Sequence, residues 1–402
     1  MRPATSTRPP KTRTGSRVVR FDLAVPTDVR FGAGRVSEVP QALVELGANR
    51  VMVITGRTTS RADAIRSTLN EAGISTMVFG VAAEPSIERV RAAVALLAEA
   101  GCDAVLGFGG GSALDVAKAA AVLATSGSDP MDHLEVIGAG RPIERAGLPC
   151  VAVPTTAGTG SEVTRNSVLS GGGVKASLRS PLMLPKVALV DPDLLVGVPK
   201  PTIAASGMDA LSQLIEPLLS LRANPFTDAL ARDGIRRSAR SLSRAYQEGM
   251  DDPGVRDDLA LASLFGGVCL ANSGLGAVHG LAAAAGARLS APHGAVCAAV
   301  LAAAMDVNLR ALRQRAPSHS ALGRMDEVAA LLTDRSDATP EDAIVWLQEL
   351  TSALSIPGLA SYGLDQEQIS AVVAAAQKAS SMRGNPIELS DEEVREIVTG
   401  SL

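Results

Sequence analysis

The chain has 402 residues, 46% hydrophobic and 20% charged, so it exceeds what one hydrophobic core usually organises and two domains of roughly 200 residues each are expected. The net charge of −4 is unevenly spread: residues 1–20 hold six basic side chains (Arg2, Arg8, Lys11, Arg13, Arg17, Arg20) and no acid, which leaves −10 on the rest. An acidic body with only 2% aromatic residues argues against a nucleic-acid partner, because both phosphate neutralisation and base stacking lack their residues.

Residues 1–20 are Arg-, Pro-, Thr- and Ser-rich without an apolar core or an amphipathic period, and read as a disordered basic tail and not as a secretory signal. No unbroken apolar run approaches the ~18 residues of a spanning helix, so no membrane association is expected. Cys102, Cys150, Cys269 and Cys297 lie in apolar surroundings without CxxC spacing. They read as reduced buried thiols, which suits a cytoplasmic location.

From Phe21 to Val198, short β-branched runs alternate with helical patterns, the signature of βαβ units and a parallel, Rossmann-like sheet. The expected strands are Val51–Thr55, Met77–Phe79, Ala104–Gly107, Val151–Val153 and Val187–Val190, with a crossover helix over Ser86–Ala100. Ser170-Gly171-Gly172-Gly173 reads as a hairpin tip, since a lysine-bearing extended segment follows it. Beyond Pro199 the texture becomes Ala/Leu-rich and helical throughout, with helices over Thr202–Leu219 and from near Gly276 and Gly294. The expected organisation is therefore an α/β dinucleotide-binding domain over 21–198 and an all-helical domain over 199–402.

Two loops carry ligand chemistry. Strand Ala104–Gly107 runs into Gly109-Gly110-Gly111-Ser112 and then an amphipathic helix. Glycines let a backbone approach an anion, and a helix start supplies free N–H groups and partial positive charge, so this is a pyrophosphate seat. The loop Pro154 to Thr164, with Thr155, Thr156, Thr159 and two glycines, follows the next strand. Loops at the C-terminal ends of neighbouring parallel strands line one crevice, where open α/β sheets bind ligands.

Only four histidines occur, and two of them, His279 and His293, sit in Ala/Gly-rich helical sequence. Each alone reads equally as a hydrogen-bonded core residue. Asp209 and Gln213, however, stand at i and i+4 on one helix face. An acid, an amide oxygen and two imidazoles can converge on one divalent ion in a helical domain.

With these pieces in order, the sequence from about Phe31 onward resembles the iron-containing (group III) alcohol dehydrogenase family. The likeness is carried by Gly109-Gly110-Gly111-Ser112 with Asp115 and Lys118, the Pro154–Thr164 loop, Lys175, Gly207-Met208-Asp209-Ala210-Leu211, Ala277-Val278-His279-Gly280 and Ala291-Pro292-His293-Gly294. The resemblance implies a nicotinamide cofactor, NAD or NADP, and a divalent metal, Fe²⁺ or Zn²⁺, in the cleft between an α/β domain and a helical one. It further implies that Gly109 to Ser112 hold the pyrophosphate, that Thr155, Thr156 and Thr159 contact the adenosine and phosphate portion, and that Asp115 and Lys175 lie toward the nicotinamide ribose. Asp209, His279 and His293 match three of the four metal ligands and would be the catalytic residues.

Three departures from the family pattern bear on function. Gln213 stands where the family has a fourth ligand, His, and a neutral amide oxygen is the weaker donor for a borderline ion. Ala283 stands where many members carry a proton-relay His, so no general acid is evident. Gly56-Arg57 follows the first strand where NAD-preferring relatives often carry an Asp, and Arg57 there suits the 2′-phosphate of NADP.

The expected activity is hydride transfer between nicotinamide and a small aldehyde or alcohol, in a homodimer. Arg165 and Arg179 are candidates for facing an anionic substrate group, and the small residues Ala282 to Gly286 for making room in the pocket, though solvated arginine and helix packing explain them equally. Gln213 keeps a metal-free reductase resembling maleylacetate reductase as the alternative, which the retained Asp209 opposes. A lyase like dehydroquinate synthase would need more basic residues and histidines than the chain offers.

Overall fold

The computed structural model describes residues 21–402 apart from 26, 27, 83, 172, 173, 287 and 290. The basic tail expected over 1–20 lies outside the described residues. The first half alternates β1 (Asp28–Phe31), α1 (Val39–Glu45), β2 (Arg50–Thr55), α2 (Asp63–Glu71), β3 (Ser75–Gly80), α3 (Ile87–Ala100), β4 (Ala104–Gly109), α4 (Gly111–Leu123), the short α5 (Pro130–His133) and β5 (Cys150–Pro154). A hairpin of β6 (Asn166–Gly171) and β7 (Val174–Arg179) precedes the last strand, β8 (Val187–Val190).

Six parallel strands form one sheet in the order β1-β8-β5-β4-β2-β3. Strands β2, β4, β5 and β8 are buried almost throughout, as expected of a parallel sheet covered on both faces. The chain runs outward from β2 to β3, then re-enters on the other side of β2 with β4, so the strand order reverses between β2 and β4. Crevices at such a reversal are where doubly wound sheets take ligands, and the loops starting at Gly56 and Gly110 flank it.

The sequence pattern misses β1. It is a half-exposed edge strand of four residues paired only to β8, too short to show alternation. The crossover helix α3 is as expected: Ser86 accepts from the Arg89 N–H at 3.2 Å at its start, Gly101 closes it at φ 61°, and Ile87, Val90, Ala93 and Leu97 face the core. The antiparallel hairpin is also as expected, with Gly171 opposite Val174.

Every element from Lys200 onward among the described residues is helical: α6 (Lys200–Leu219), α7 (Pro225–Glu248), α8 (Pro253–Ser273), α9 (Ala277–Gly286), α10 (His293–Arg315), α11 (Ser320–Thr333), α12 (Pro340–Ala353), α13 (Gln366–Lys378) and α14 (Asp391–Thr399), with short 3₁₀ turns. Helix α6 is buried almost along its full length, packed against α7, α8 and α10. Helix α10 is long and apolar enough by composition to cross a membrane, yet 78% of its apolar window is buried in this bundle. It is a core helix.

Two close approaches fix the halves and the site. Gly160, at φ +58° in the loop after β5, meets Gly267 of α8 backbone to backbone, with no room for a Cβ on either. Gly294 at the start of α10 lies against the Ala205 carbonyl and the Asp209 Cβ of α6, again without space for a side chain. That second contact brings His293 beside Asp209.

Candidate active site

A cleft of about 780 Å³ runs between the sheet's C-terminal edge and the helical bundle. At one end lie Gly56 and Arg57 after β2, Gly110, Gly111 and Ser112 at the start of α4, and Thr156 and Thr159 after β5. Asp209, Gln213, His279 and His293 lie at the other, with Asp115 and Lys175 also on its walls.

The start of α4 has the properties of an anion seat. Gly110 is its N-cap and no side chain caps the helix, so the first N–H groups are left for a ligand. Gly111 packs on Thr159, where a Cβ would come within 2.6 Å of the threonine methyl. Gly109 and Thr155 are not on the cleft wall. Gly109 ends β4, packed so that a Cβ would meet the Ala113 methyl at 2.9 Å, and the buried Thr155 donates its N–H to the Gly109 carbonyl at 3.0 Å. They support the wall from beneath.

Asp115 and Lys118 knit the second loop to α4. Asp115 accepts from the Ser161 hydroxyl at 2.5 Å and from the Val168 N–H at 2.8 Å. One turn on, the Lys118 ammonium is buried, donating to Ser161 O at 2.9 Å, Thr164 Oγ1 at 2.7 Å and Asn166 O at 2.5 Å, with Asp115 Oδ1 at 3.3 Å. Burial pulls its pKa down, against the opposing pull of Asp115. Lys175 pairs with Glu84 at 2.6 Å across the cleft wall. Arg57 is exposed, donating one N–H to the Ala82 carbonyl at 3.0 Å.

At the far end the polar side chains converge on one point. Asp209 Oδ1 lies 3.4 Å from His279 Nε2, 3.8 Å from His293 Nε2 and 3.7 Å from Cys297 Sγ, and Cys297 Sγ lies 3.7 Å from His293 Nε2. Sequence reasoning took Cys297 for an inert core thiol. It stands four residues after His293 on α10, the spacing that also joins Asp209 to Gln213 on α6, and that recurrence was the signal available.

Glu216 is the other residue missed. It follows Asp209 by seven on the same face of α6. Its Oε2 accepts from His279 Nδ1 at 2.6 Å, and its Oε1 accepts the Val278 N–H at 2.7 Å at the start of α9. With Nδ1 donating to Glu216, His279 directs Nε2 to the cluster, where the neutral ring would offer its lone pair to a cation.

Both His279 Nε2 and Gln213 Oε1 are buried without a hydrogen-bond partner, which buried polar atoms rarely tolerate. Burial opposes ionisation of Asp209, but the neighbouring His279 and His293 side chains hold its carboxyl below the ordinary range. Burial likewise pushes the Cys297 thiol up, and the two imidazoles outweigh it, bringing the thiol below its usual value. A carboxylate, two imidazoles and a thiol whose ligand atoms lie within 4.8 Å of one another fit a divalent cation.

Neither Arg165 nor Arg179 is on the cleft wall, and Arg179 pairs with Glu135 at 3.3 Å. Ala282, Ala284 and Ala285 are buried in the helical core away from the cleft, so their small size serves packing. The cleft wall at the helical side also includes the apolar Leu270, Leu275 and Pro292.

Residues 26–192 match the family model of iron-containing alcohol dehydrogenases, and residues 203–402 match the C-terminal model of the same family. The chain is 34% identical over 382 residues to long-chain-alcohol dehydrogenase 1 of Geobacillus thermodenitrificans, covering 93% of this chain and 95% of that one. Among solved structures, 1,3-propanediol oxidoreductase matches with a TM-score of 0.88 at 31% identity, over 95% of this chain and 100% of that one. Sulfoacetaldehyde reductase from Bifidobacterium kashiwanohense, in complex with NAD⁺, matches with a TM-score of 0.83 at 27% identity, over 94% and 98%. The chain belongs to the iron-containing alcohol dehydrogenase family and is an oxidoreductase acting on CH–OH groups.

Proposed function

We propose that this member of the iron-containing alcohol dehydrogenases reduces small aldehydes with NADPH, assisted by a divalent ion at the Asp209 cluster. One observation carries the reading: a single cleft joins the uncapped start of α4 to the His279 and His293 imidazoles, so a dinucleotide seated by its pyrophosphate at one end points its nicotinamide toward the other.

In this reading Gly110, Gly111 and Ser112 hold the pyrophosphate, with Gly109 and Thr155 bracing them. Thr156 and Thr159 contact the adenosine side, and Arg57 receives the 2′-phosphate. Asp115 and Lys175 lie toward the nicotinamide ribose, where Asp115 acts mainly through the Ser161 and Val168 hydrogen bonds that hold the wall. Asp209, His279 and His293 hold the ion, with Gln213 near it. When bound, the ion polarises a carbonyl oxygen and the nicotinamide supplies the hydride.

The protein's own contribution is positioning. Glu216 orients His279, Asp209 brings the negative charge that a cation needs, and Leu270, Leu275 and Pro292 make the neighbouring wall apolar. An apolar wall suits neutral aldehydes, and the preference for short ones rests on the family likeness. Among the described residues the cationic side chains on the cleft wall, apart from the imidazoles, are Arg57 and Lys175, both assigned to the cofactor, which weakens the case for an anionic substrate. A cytoplasmic homodimer completes the reading, in keeping with four free, buried cysteines.

The test is metal analysis of purified protein together with NADPH and NADH oxidation across two- to four-carbon, long-chain and aromatic aldehydes. The expected result is turnover lost on chelation, a higher kcat/KM with NADPH, and the highest kcat/KM for the short set. Full activity after exhaustive chelation would instead support a metal-free reductase resembling maleylacetate reductase.

A further inference from the structure

We propose that Cys297 supplies the fourth ligand of the ion, so that Asp209, His279, His293 and Cys297 form a tetrahedral site that selects zinc over iron. The inference rests on the metal-assisted reading above and deepens it.

The distances carry the assignment. Zinc holds nitrogen and oxygen ligands at about 2.0–2.1 Å and sulfur at about 2.3 Å, so the edges of a tetrahedron around it measure roughly 3.3–3.6 Å. The Asp209 Oδ1 to His279 Nε2 edge is 3.4 Å, Asp209 Oδ1 to His293 Nε2 is 3.8 Å, and Cys297 Sγ lies 3.7 Å from both Asp209 Oδ1 and His293 Nε2. All four ligand atoms lie within 4.8 Å of one another. Four of the six edges are thus close to those of the polyhedron, and the two from His279 to His293 and Cys297 are no longer than 4.8 Å.

Each corner is held by structure outside the cluster. Glu216 turns His279 so that its unpartnered Nε2 faces inward. The Gly294 contact presses the first turn of α10 onto α6, and the helical period then puts Cys297 one turn behind His293, on the same face. His293 is the most exposed corner, its side chain 37% accessible against 3% for Asp209, so an ion would be reached by substrate from that side.

Chemistry separates Cys297 from Gln213 as the fourth donor. A thiolate brings a charge and a soft sulfur, whereas the amide oxygen of Gln213 is neutral and hard. Two imidazoles, one carboxylate and one thiolate form a donor set suited to zinc, which also stands above Fe²⁺ in the usual affinity order. Gln213 is then a neighbour of the ion and not one of its ligands.

The test uses the whole protein loaded anaerobically with Zn²⁺ or Co²⁺ and compares wild type with Cys297→Ser and Cys297→Ala. X-ray absorption at the zinc edge should show one sulfur at about 2.3 Å among nitrogen and oxygen neighbours, and the cobalt form should show a thiolate-to-metal charge-transfer band in the near ultraviolet. Both signatures should vanish in the two variants, with zinc affinity against a competing chelator falling at least tenfold. A wild-type zinc shell containing only nitrogen and oxygen overturns the assignment while leaving the metal-assisted reading intact. Tighter binding of Fe²⁺ than Zn²⁺ in direct competition overturns the selectivity. A wild-type protein that binds no divalent ion overturns both this and the metal-assisted reading.

Discussion

Glu216 Oε2 accepts a 2.6 Å hydrogen bond from His279 Nδ1, while its second oxygen receives the Val278 N–H at 2.7 Å. One carboxylate thus sets the tautomer of a cluster imidazole and also satisfies a backbone donor at the start of the helix that carries it. Carboxylates behind metal-bound histidines typically contribute a factor of 10–100 in ion affinity. Glu216→Ala should therefore lower zinc affinity by about 10- to 100-fold in a chelator competition, and an unchanged affinity would show that His279 needs no such support.

Gly110 sits at φ −76° and ψ −178°, a conformation open to any residue, and its nearest neighbours would leave a Cβ 3.2 Å from Thr156 Oγ1. Gly110→Val should therefore fold while placing a branched side chain at the anion seat. Cofactor affinity measured by calorimetry should fall at least tenfold, about 1.4 kcal/mol. A folded variant with wild-type affinity would mean that the pyrophosphate lies elsewhere.

The buried Lys118 ammonium donates to Ser161 O, Thr164 Oγ1 and Asn166 O. Lys118→Met keeps the apolar stem but leaves those acceptors, and the Asp115 carboxylate beside them, without their cation. Removing one partner from a buried polar network of this kind costs about 3 kcal/mol. The urea midpoint should drop accordingly, with a looser 155–164 loop reporting as weaker cofactor binding, and a variant as stable as wild type would refute the role.

Burial pushes the Glu162 carboxyl up to about 7, above the ordinary value of roughly 4.3 that it has in an unfolded chain. Between these values the native protein keeps a proton that the unfolded chain has released, so stability falls as pH rises through that window and levels off above it. The loss attributable to this residue is at most about 4 kcal/mol. Glu162→Gln should flatten the decline in the urea midpoint between pH 5 and pH 8, and parallel profiles for the two proteins would exclude Glu162 as its source.

The central strands and the helices bearing Asp209, His279 and His293 were legible because burial on both faces gives unbroken apolar runs and because an acid and two of only four histidines stand out in Ala/Gly-rich helical sequence. What escaped depended on contacts distant in sequence. Glu216 acquires its role only from His279, 63 positions away, and Cys297 looked inert because its nearest sequence neighbours are apolar while its partner Asp209 is 88 positions away. Gly109 and Thr155 share a motif with wall residues, yet the pleat of β4 and the Thr155 to Gly109 hydrogen bond turn them inward. Ala282, Ala284 and Ala285 of α9 could be read as pocket or packing from sequence, and the fold decides for packing because they face the bundle.

Gly160 and Gly267 touch through their main chains alone. One belongs to the loop flanking the dinucleotide seat, the other to the bundle that carries the cation cluster. In the proposed reading, the separation between nicotinamide and carbonyl is consequently gauged by atoms that are missing. A single methyl at either position would act as a shim, widening the gap that a hydride must cross without altering any residue that touches cofactor or substrate.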